Sequence, residues 1–148
     1  MAGSLTHAPS HILQRLLILL GVATDPLATT LGAWPVYEDM EPASPDNVIT
    51  VYNTTPRVHG RTHPAGTTQQ HYGFQVRIRG TTAPVAWLRA NTIAEAFDGQ
   101  YQSIVTIAGT EYVVHAVHHN GIVRIGKNVP TDKRSLYTMN PLAVIKQL

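Results

Sequence analysis

The alternation of apolar and polar residues predicts two helices and a mostly antiparallel sheet. Residues 9–20 begin with a proline and carry apolar side chains almost all round, which is typical of a helix buried on more than one side. Residues 72–79 alternate strictly, as expected for a strand with one solvent-facing side. One face of this strand would carry Tyr72, Phe74, Val76 and Ile78, and the other would carry Gly73, Gln75, Arg77 and Arg79.

The second helix is predicted over residues 83–98. Thr82 stands where an N-terminal cap is expected, and Gly99 follows the last helical position. The predicted buried stripe consists of Ala86, Ala90, Ile93, Ala94 and Phe97. Trp87 falls off this stripe, and an exposed tryptophan beside an arginine is typical of a protein interface.

The remaining strands complete an α+β fold. They are predicted at residues 36–40, 48–53, 103–108, 112–117, 122–125 and 135–140, with 141–148 as a final edge segment. Gly109 and Thr110 are predicted to form a two-residue hairpin turn. The chain is therefore expected to be a single domain over 1–148: a mostly antiparallel sheet, two helices packed on one face, a long β-hairpin loop and a C-terminal β-meander.

A long polar segment, residues 54–71, separates two of these strands. It contains Arg57, His59, Arg61 and His63 and no acidic residue. Loops of this length inside a compact domain are uncommon and usually functional or mobile. We expect a mobile basic hairpin tip that rests on a partner or faces an acidic lumen.

Composition favours a protein that covers its surface with other subunits. Charged residues make up 14% of the 148 residues, against about 25% in average soluble domains. The net charge is only +2 and there is no cysteine, which argues against an obligate nucleic-acid binder and excludes thiolate chemistry. The apolar run at 12–23 is interrupted by Gln14 and Arg15, so neither a membrane span nor an export signal is expected.

No pattern in the sequence indicates catalysis. His115 and His119 would share one strand face at about 13 Å, which is too far to chelate one ion. A metal-dependent enzyme using His115 or His71 would need distant ligands. Neither a Gly-x-Ser-x-Gly turn nor a glycine-rich phosphate loop is present. We therefore expect no catalytic residue, no metal and no cofactor.

A small nucleic-acid-binding module is the alternative from another class. Arg77 and Arg79 share a predicted strand face near Arg57 and Arg61, and four arginines could contact phosphates. The aromatic residues Tyr72 and Phe74 lie on the opposite face, unlike a stacking platform for single strands. An ordinary solvent-facing sheet side explains the pattern better.

Several segments in their order resemble the small tail-terminator or minor capsid proteins of long-tailed bacteriophages. These are VITVYNTT, YGFQVRIRG, the helix APVAWLRANTIAEAFDG, the hairpin SIVTIAGTEYVV and RSLYTMN. The resemblance implies a non-enzymatic virion protein of the tail or neck, assembled in the host cytoplasm. It implies a ring, commonly a hexamer, which caps the head-proximal end of the tail tube and joins it to the head connector.

The implied partners are further copies of the chain, the tail tube protein, a head-completion or connector protein and DNA passing through the lumen, with no membrane. A head-to-tail connector or minor capsid adaptor remains an alternative within this class. For contacts with the tube we expect Arg57, His59, Arg61, His63, Arg77 and Arg79. For the subunit interface we expect Leu16, Leu19, Leu20 and Trp87.

Overall fold

The structure, a computed structural model, describes residues 5–27, 33–61, 68–126 and 134–148, and gives only the backbone for 55–61, 68–70 and 126. Two α-helices and eight β-strands lie in these ranges. In chain order they are α1 (Pro9–Leu19), β1 (Val36–Glu38), β2 (Val48–Arg61), β3 (Thr68–Gly80), α2 (Ala83–Gly99), β4 (Ser103–Ile107), β5 (Thr110–His118), β6 (Val123–Gly126), β7 (Ser135–Met139) and β8 (Leu142–Gln147).

The strands form one sheet in the order β1-β2-β3-β8-β5-β4, and β7 pairs with both β3 and β6. β1 runs parallel to β2, and the other pairs are antiparallel. Helix α1 packs on β1, β2 and β4, and α2 packs on β3, β5 and β7. The predicted α+β class, with both helices on one face of a mostly antiparallel sheet, is confirmed.

The helices cover the apolar face of β3. Tyr72 is 7% exposed and Phe74, Val76 and Ile78 are fully buried, as the alternation predicted. Four apolar residues of α1 are also fully buried: Ile12, Leu13, Leu16 and Leu17. Burying one such side chain contributes about 1.5–3 kcal/mol, so these contacts hold the helix layer on the sheet.

The helix boundaries agree with the sequence signals. Helix α1 begins at Pro9, where a missing N–H costs no hydrogen bond. In α2 the Val85 N–H donates to Thr82 Oγ1 at 3.4 Å, so Thr82 is the N-terminal cap as predicted. The helix includes Gly99, one residue more than predicted.

The segment predicted as a loop at 54–71 is mostly strand, which corrects that prediction. Within it, Arg57 pairs with His71 and Arg61 with Thr68. Backbone hydrogen bonds extend the hairpin through this segment. Its side chains lack the alternation of apolar and polar residues from which a strand is predicted. The register shifts between Thr54 and Arg57, where Pro56 cannot donate to the ladder. His63 lies outside the described residues.

The last strand is not at an edge, which is a second correction. β8 lies between β3 and β5. Strand β3 is long enough for β7 to pair along 76–80 and for β8 to pair along 71–73. The buried Ala143 and Ile145 of β8 complete the apolar face of the sheet.

The β4–β5 hairpin turns one residue earlier than predicted. Ile107 pairs with Thr110, so the two turn residues are Ala108 and Gly109. Their φ angles are 48° and 82°, and such left-handed turns match the right-handed twist of the flanking strands. Strand β1 is also shorter than expected, because Asp39 with φ 62° turns the chain away.

Gly80 allows α2 to start directly against β3, and we predict that Gly80→Ala destabilises the protein by about 1–3 kcal/mol. A Cβ at this position would lie 2.9 Å from both the backbone N and the Cβ of Ala86. Gly99→Ala is the matched control, since nothing lies within 4 Å of a Cβ there. Chemical denaturation checks both variants, and equal stabilities would contradict the close packing.

Candidate interaction surfaces

The exposed side of α1 is at its C-terminal end. Leu16 is fully buried in the core of its own chain, so it offers no side-chain surface to another subunit and its expected interface role is corrected. Leu20 is half-buried and packs against the core. Of the three predicted interface residues at this helix, Leu19 is the most accessible, with 59% of its surface exposed.

Helix α2 carries a second exposed apolar area, here called the α2 patch: Val85, Trp87 and Leu88. These residues are 38%, 46% and 66% exposed. The centre of the Trp87 ring lies 5.8 Å from that of Tyr137, so Trp87 packs against a residue of β7. Trp87 was predicted from the sequence as an interface residue, whereas Val85 and Leu88 were not. The signal was available, since both are apolar residues outside the buried stripe of the helix.

Arg89 connects α2 to the segment that follows α1. Its Nη1 donates to the Val22 carbonyl at 3.2 Å, and its guanidinium lies 5.3 Å from the centre of the Trp34 ring. Burial lowers the pKa of Arg89 from its usual value. This arginine is therefore a structural contact, and it holds the α1 end beside the helix that carries the α2 patch.

Asp25 fixes the chain just beyond α1. The Leu27 N–H donates to Oδ1 at 2.9 Å and Arg15 donates to Oδ2 at 2.8 Å. The hydrogen bond from the Leu27 backbone, followed by that from Arg15, lowers the pKa of Asp25. Leu27 itself is 86% exposed.

Arg79 does not face solvent, contrary to its predicted role in tube contact. Its side chain is 2% exposed, and it donates to the Pro45 carbonyl at 2.7 Å and the Asp46 carbonyl at 3.2 Å. Glu41 Oε2 lies 4.0 Å from Arg79 and 3.9 Å from Arg77. The arginine therefore secures the segment 41–46 over the second face of the sheet.

Arg77 lies in the same cluster with 25% of its side chain exposed. The sequence pattern placed Arg77 and Arg79 on the same strand face correctly. It could not reveal that a segment more than thirty residues earlier covers this face. Arg134 also contributes, because its Nη1 donates to the Ala43 carbonyl at 2.8 Å.

The hairpin residues expected to contact the tube are described only in part. Arg57, His59 and Arg61 belong to β2, for which the structure gives the backbone at these positions.

An open cavity of about 230 Å³ lies at the hairpin base, lined by Pro9, Asn53, Thr54, Tyr72 and Gly73. Burial raises the pKa of the Tyr72 phenol, and Asn53 bonds to Ser10 of α1, so the hairpin base is tied to the helix layer.

The histidines form no metal centre in the part of the chain that the structure describes. His119 Nε2 instead lies 3.1 Å from Asp98 Oδ1. Among the described residues, neither helix is long and apolar enough to cross a membrane.

The family follows from comparison with known proteins. A family model described as "Bacteriophage tail terminator protein" matches residues 16–139, which is most of the sequence. The chain therefore belongs to the bacteriophage tail terminator family, a class of structural tail proteins of the virion and not a class of enzymes. A search of curated proteins finds no match.

A solved chain from the virion of a native gene transfer agent particle has the same fold. The TM-score is 0.55 at 13% sequence identity, and the match covers 95% of this chain and 99% of that chain. At this identity the likeness concerns the fold alone.

For the buried arginine we predict that Arg79→Met lowers the free energy of unfolding by about 2–4 kcal/mol, because Glu41 and two carbonyls lose a buried partner. Arg77→Met is the control and should cost less than about 1 kcal/mol, since its ion pair is long and partly exposed. Denaturant unfolding measures both. A larger loss for Arg77→Met would contradict the assignment of Arg79 as the main contact.

Proposed function

We propose that this protein is the terminator subunit of a phage tail: a homo-oligomeric ring, expected to be a hexamer, that caps the head-proximal end of the tail tube. The ring would join the tube to the head connector. The observation that carries this proposal is the helix-layer surface, defined as Leu19, Val85, Trp87 and Leu88, on a chain of the tail terminator family. Large exposed apolar residues gathered on one layer are typical of protein interfaces.

Cyclic rings need two different contact surfaces on each subunit, one for each neighbour. The helix-layer surface supplies one of them in this proposal. Its residues are apolar and include a tryptophan whose ring packs beside Tyr137, which is the composition expected at the centre of a stable interface. The low share of charged residues agrees with extensive contact between copies.

The β2–β3 hairpin is our candidate for contact with the tube. Arg57, His59 and Arg61 lie on β2, and His63 follows them in the sequence. The segment 54–71 contains no acidic residue. These basic residues could bind an acidic tube surface or meet the DNA in the lumen. Arg79 is buried and is therefore not proposed as a tube contact. Arg77 lies beside the same carboxylate as Arg79, that of Glu41.

The family match favours the terminator over a connector adaptor. The burial of Arg79 also weakens the nucleic-acid alternative, because it takes one arginine away from the proposed basic surface.

A binding experiment with purified phage components distinguishes a terminator from a connector adaptor. A terminator should bind purified tail tubes and stop their growth, whereas an adaptor should first bind portal or filled heads.

We predict that Leu19→Asp leaves the subunit folded but prevents ring formation, because the side chain is exposed in the monomer and a charge would be buried at the interface. Leu16→Asp is the contrasting variant and should unfold the chain, since Leu16 is fully buried. Native mass measurement gives the assembly state and circular dichroism gives the fold. A folded Leu19→Asp protein that still forms the ring would show that this surface is not a subunit interface.

For the hairpin we predict that Arg57→Ala combined with Arg61→Ala preserves folding and weakens docking to the tube. The physical reason is the loss of two positive charges from the proposed contact. The measurement is the length distribution of tails assembled with the variant, compared with wild type. Unchanged length control in a folded double variant would exclude these arginines from the contact.

A further inference from the structure

We infer that the outer edge of β4 pairs with a strand of a second copy of this chain, so that the sheet continues from one subunit to the next. This inference rests on the proposed ring and supplies its second contact surface. It is carried by the direction of the β4 backbone groups, by the side chains beside them and by a second open edge elsewhere in the same sheet.

The direction of the β4 backbone follows from its hairpin. Ile107 and Thr110 flank the two-residue turn, and residues in this position exchange hydrogen bonds with each other. Hydrogen-bonded and non-bonded pairs then alternate along the strands. Ser103 and Val105 therefore bond to β5, whereas Ile104 and Thr106 direct their N–H and C=O groups away from it.

The neighbouring strand confirms this pattern. Glu111, which lies opposite Thr106, accepts a hydrogen bond from the Leu148 N–H at 2.9 Å. Its carbonyl thus points away from β4, as the alternation requires. Within the described ranges β4 pairs with β5 and with no other strand.

The side chains at this edge lack the usual protection against pairing. Exposed edges are normally guarded by lysine, other charges, proline or a bulge. Strand β4 has the sequence SIVTI, with Ile104 53% exposed and Thr106 exposed, and it contains no charged residue and no proline. An unguarded edge of this kind would promote aggregation unless another strand covers it.

A second copy is the occupant we favour, because the same sheet has an open edge at its other end. β1 pairs with β2 only from Ile49 to Val51. Beyond Val51, β2 continues to Arg61 with β3 on one side and no strand of the described part on the other. Two different open edges at opposite ends of one sheet suit a head-to-tail contact, which closes into a ring when the rotation permits.

The test compares Ile104→Lys, Thr106→Pro and wild type by native mass measurement over a range of concentrations. Thr106→Pro removes an N–H that makes no bond to β5, and Ile104→Lys adds a guarding charge to an exposed position. We expect both variants to stay folded and to associate at least about tenfold more weakly, as the loss of one or two hydrogen bonds implies. Ile104→Thr is the matched control and should assemble as wild type does.

Hydrogen exchange provides the second readout. In the assembled state the amides of Ile104 and Thr106 should exchange more slowly than in the monomer, while the amide of Val105, which bonds to β5, should be slow in both. Backbone amides of β2 beyond Val51 should also become slower on assembly. Unchanged exchange of Ile104 and Thr106 would overturn edge pairing.

The outcomes separate this inference from the proposed function. A ring that forms normally with both Ile104→Lys and Thr106→Pro contradicts only the edge pairing. A wild-type chain that remains monomeric at every concentration contradicts the ring itself. If the two amides become slower only when purified tail tubes are added, the edge binds the tube protein and the second copy is the wrong occupant.

Discussion

The structure depends on β3 being paired on both sides over most of its length. β2 occupies one side of β3, and β7 and β8 follow one another along the other. A shift of one residue would turn Phe74, Val76 and Ile78 toward the second face and Arg77 and Arg79 toward the helices. Both errors would be costly, because the first exposes apolar surface and the second buries charge. The register of the whole sheet therefore follows from one alternating strand.

The features that could be predicted from the sequence are local. The proline and threonine at the helix starts and the alternation in β3 each act within a few residues, so α1, α2 and the buried face of β3 were correctly predicted. Trp87 and Leu19 were recognised as surface candidates for the same reason: helical periodicity decides which side chains leave the buried stripe. Such patterns predict which residues share a face of a helix or strand, but they do not predict which part of the chain packs on that face.

The features that could not be predicted depend on distant parts of the chain. Arg79 is buried because the segment 41–46 folds over it. The alternating pattern of the strand is the same whether such an arginine faces solvent or is covered by another segment. The position of β8 depends on the length of β3. The hairpin strands beyond Thr54 are held by backbone hydrogen bonds, which leave no periodic signal in side-chain type.

In the proposed ring, the two surfaces of a subunit would contribute in different ways. Pairing through Ile104 and Thr106 gives a few backbone hydrogen bonds, each worth about 0.5–1.5 kcal/mol net, which is too little to offset the entropy lost on association. Burial of apolar side chains such as Trp87, Leu88 and Leu19 supplies larger free energy but little directional preference. Edge pairing would therefore set the orientation and register of neighbouring subunits, and the helix-layer surface would stabilise the assembly once that orientation is reached.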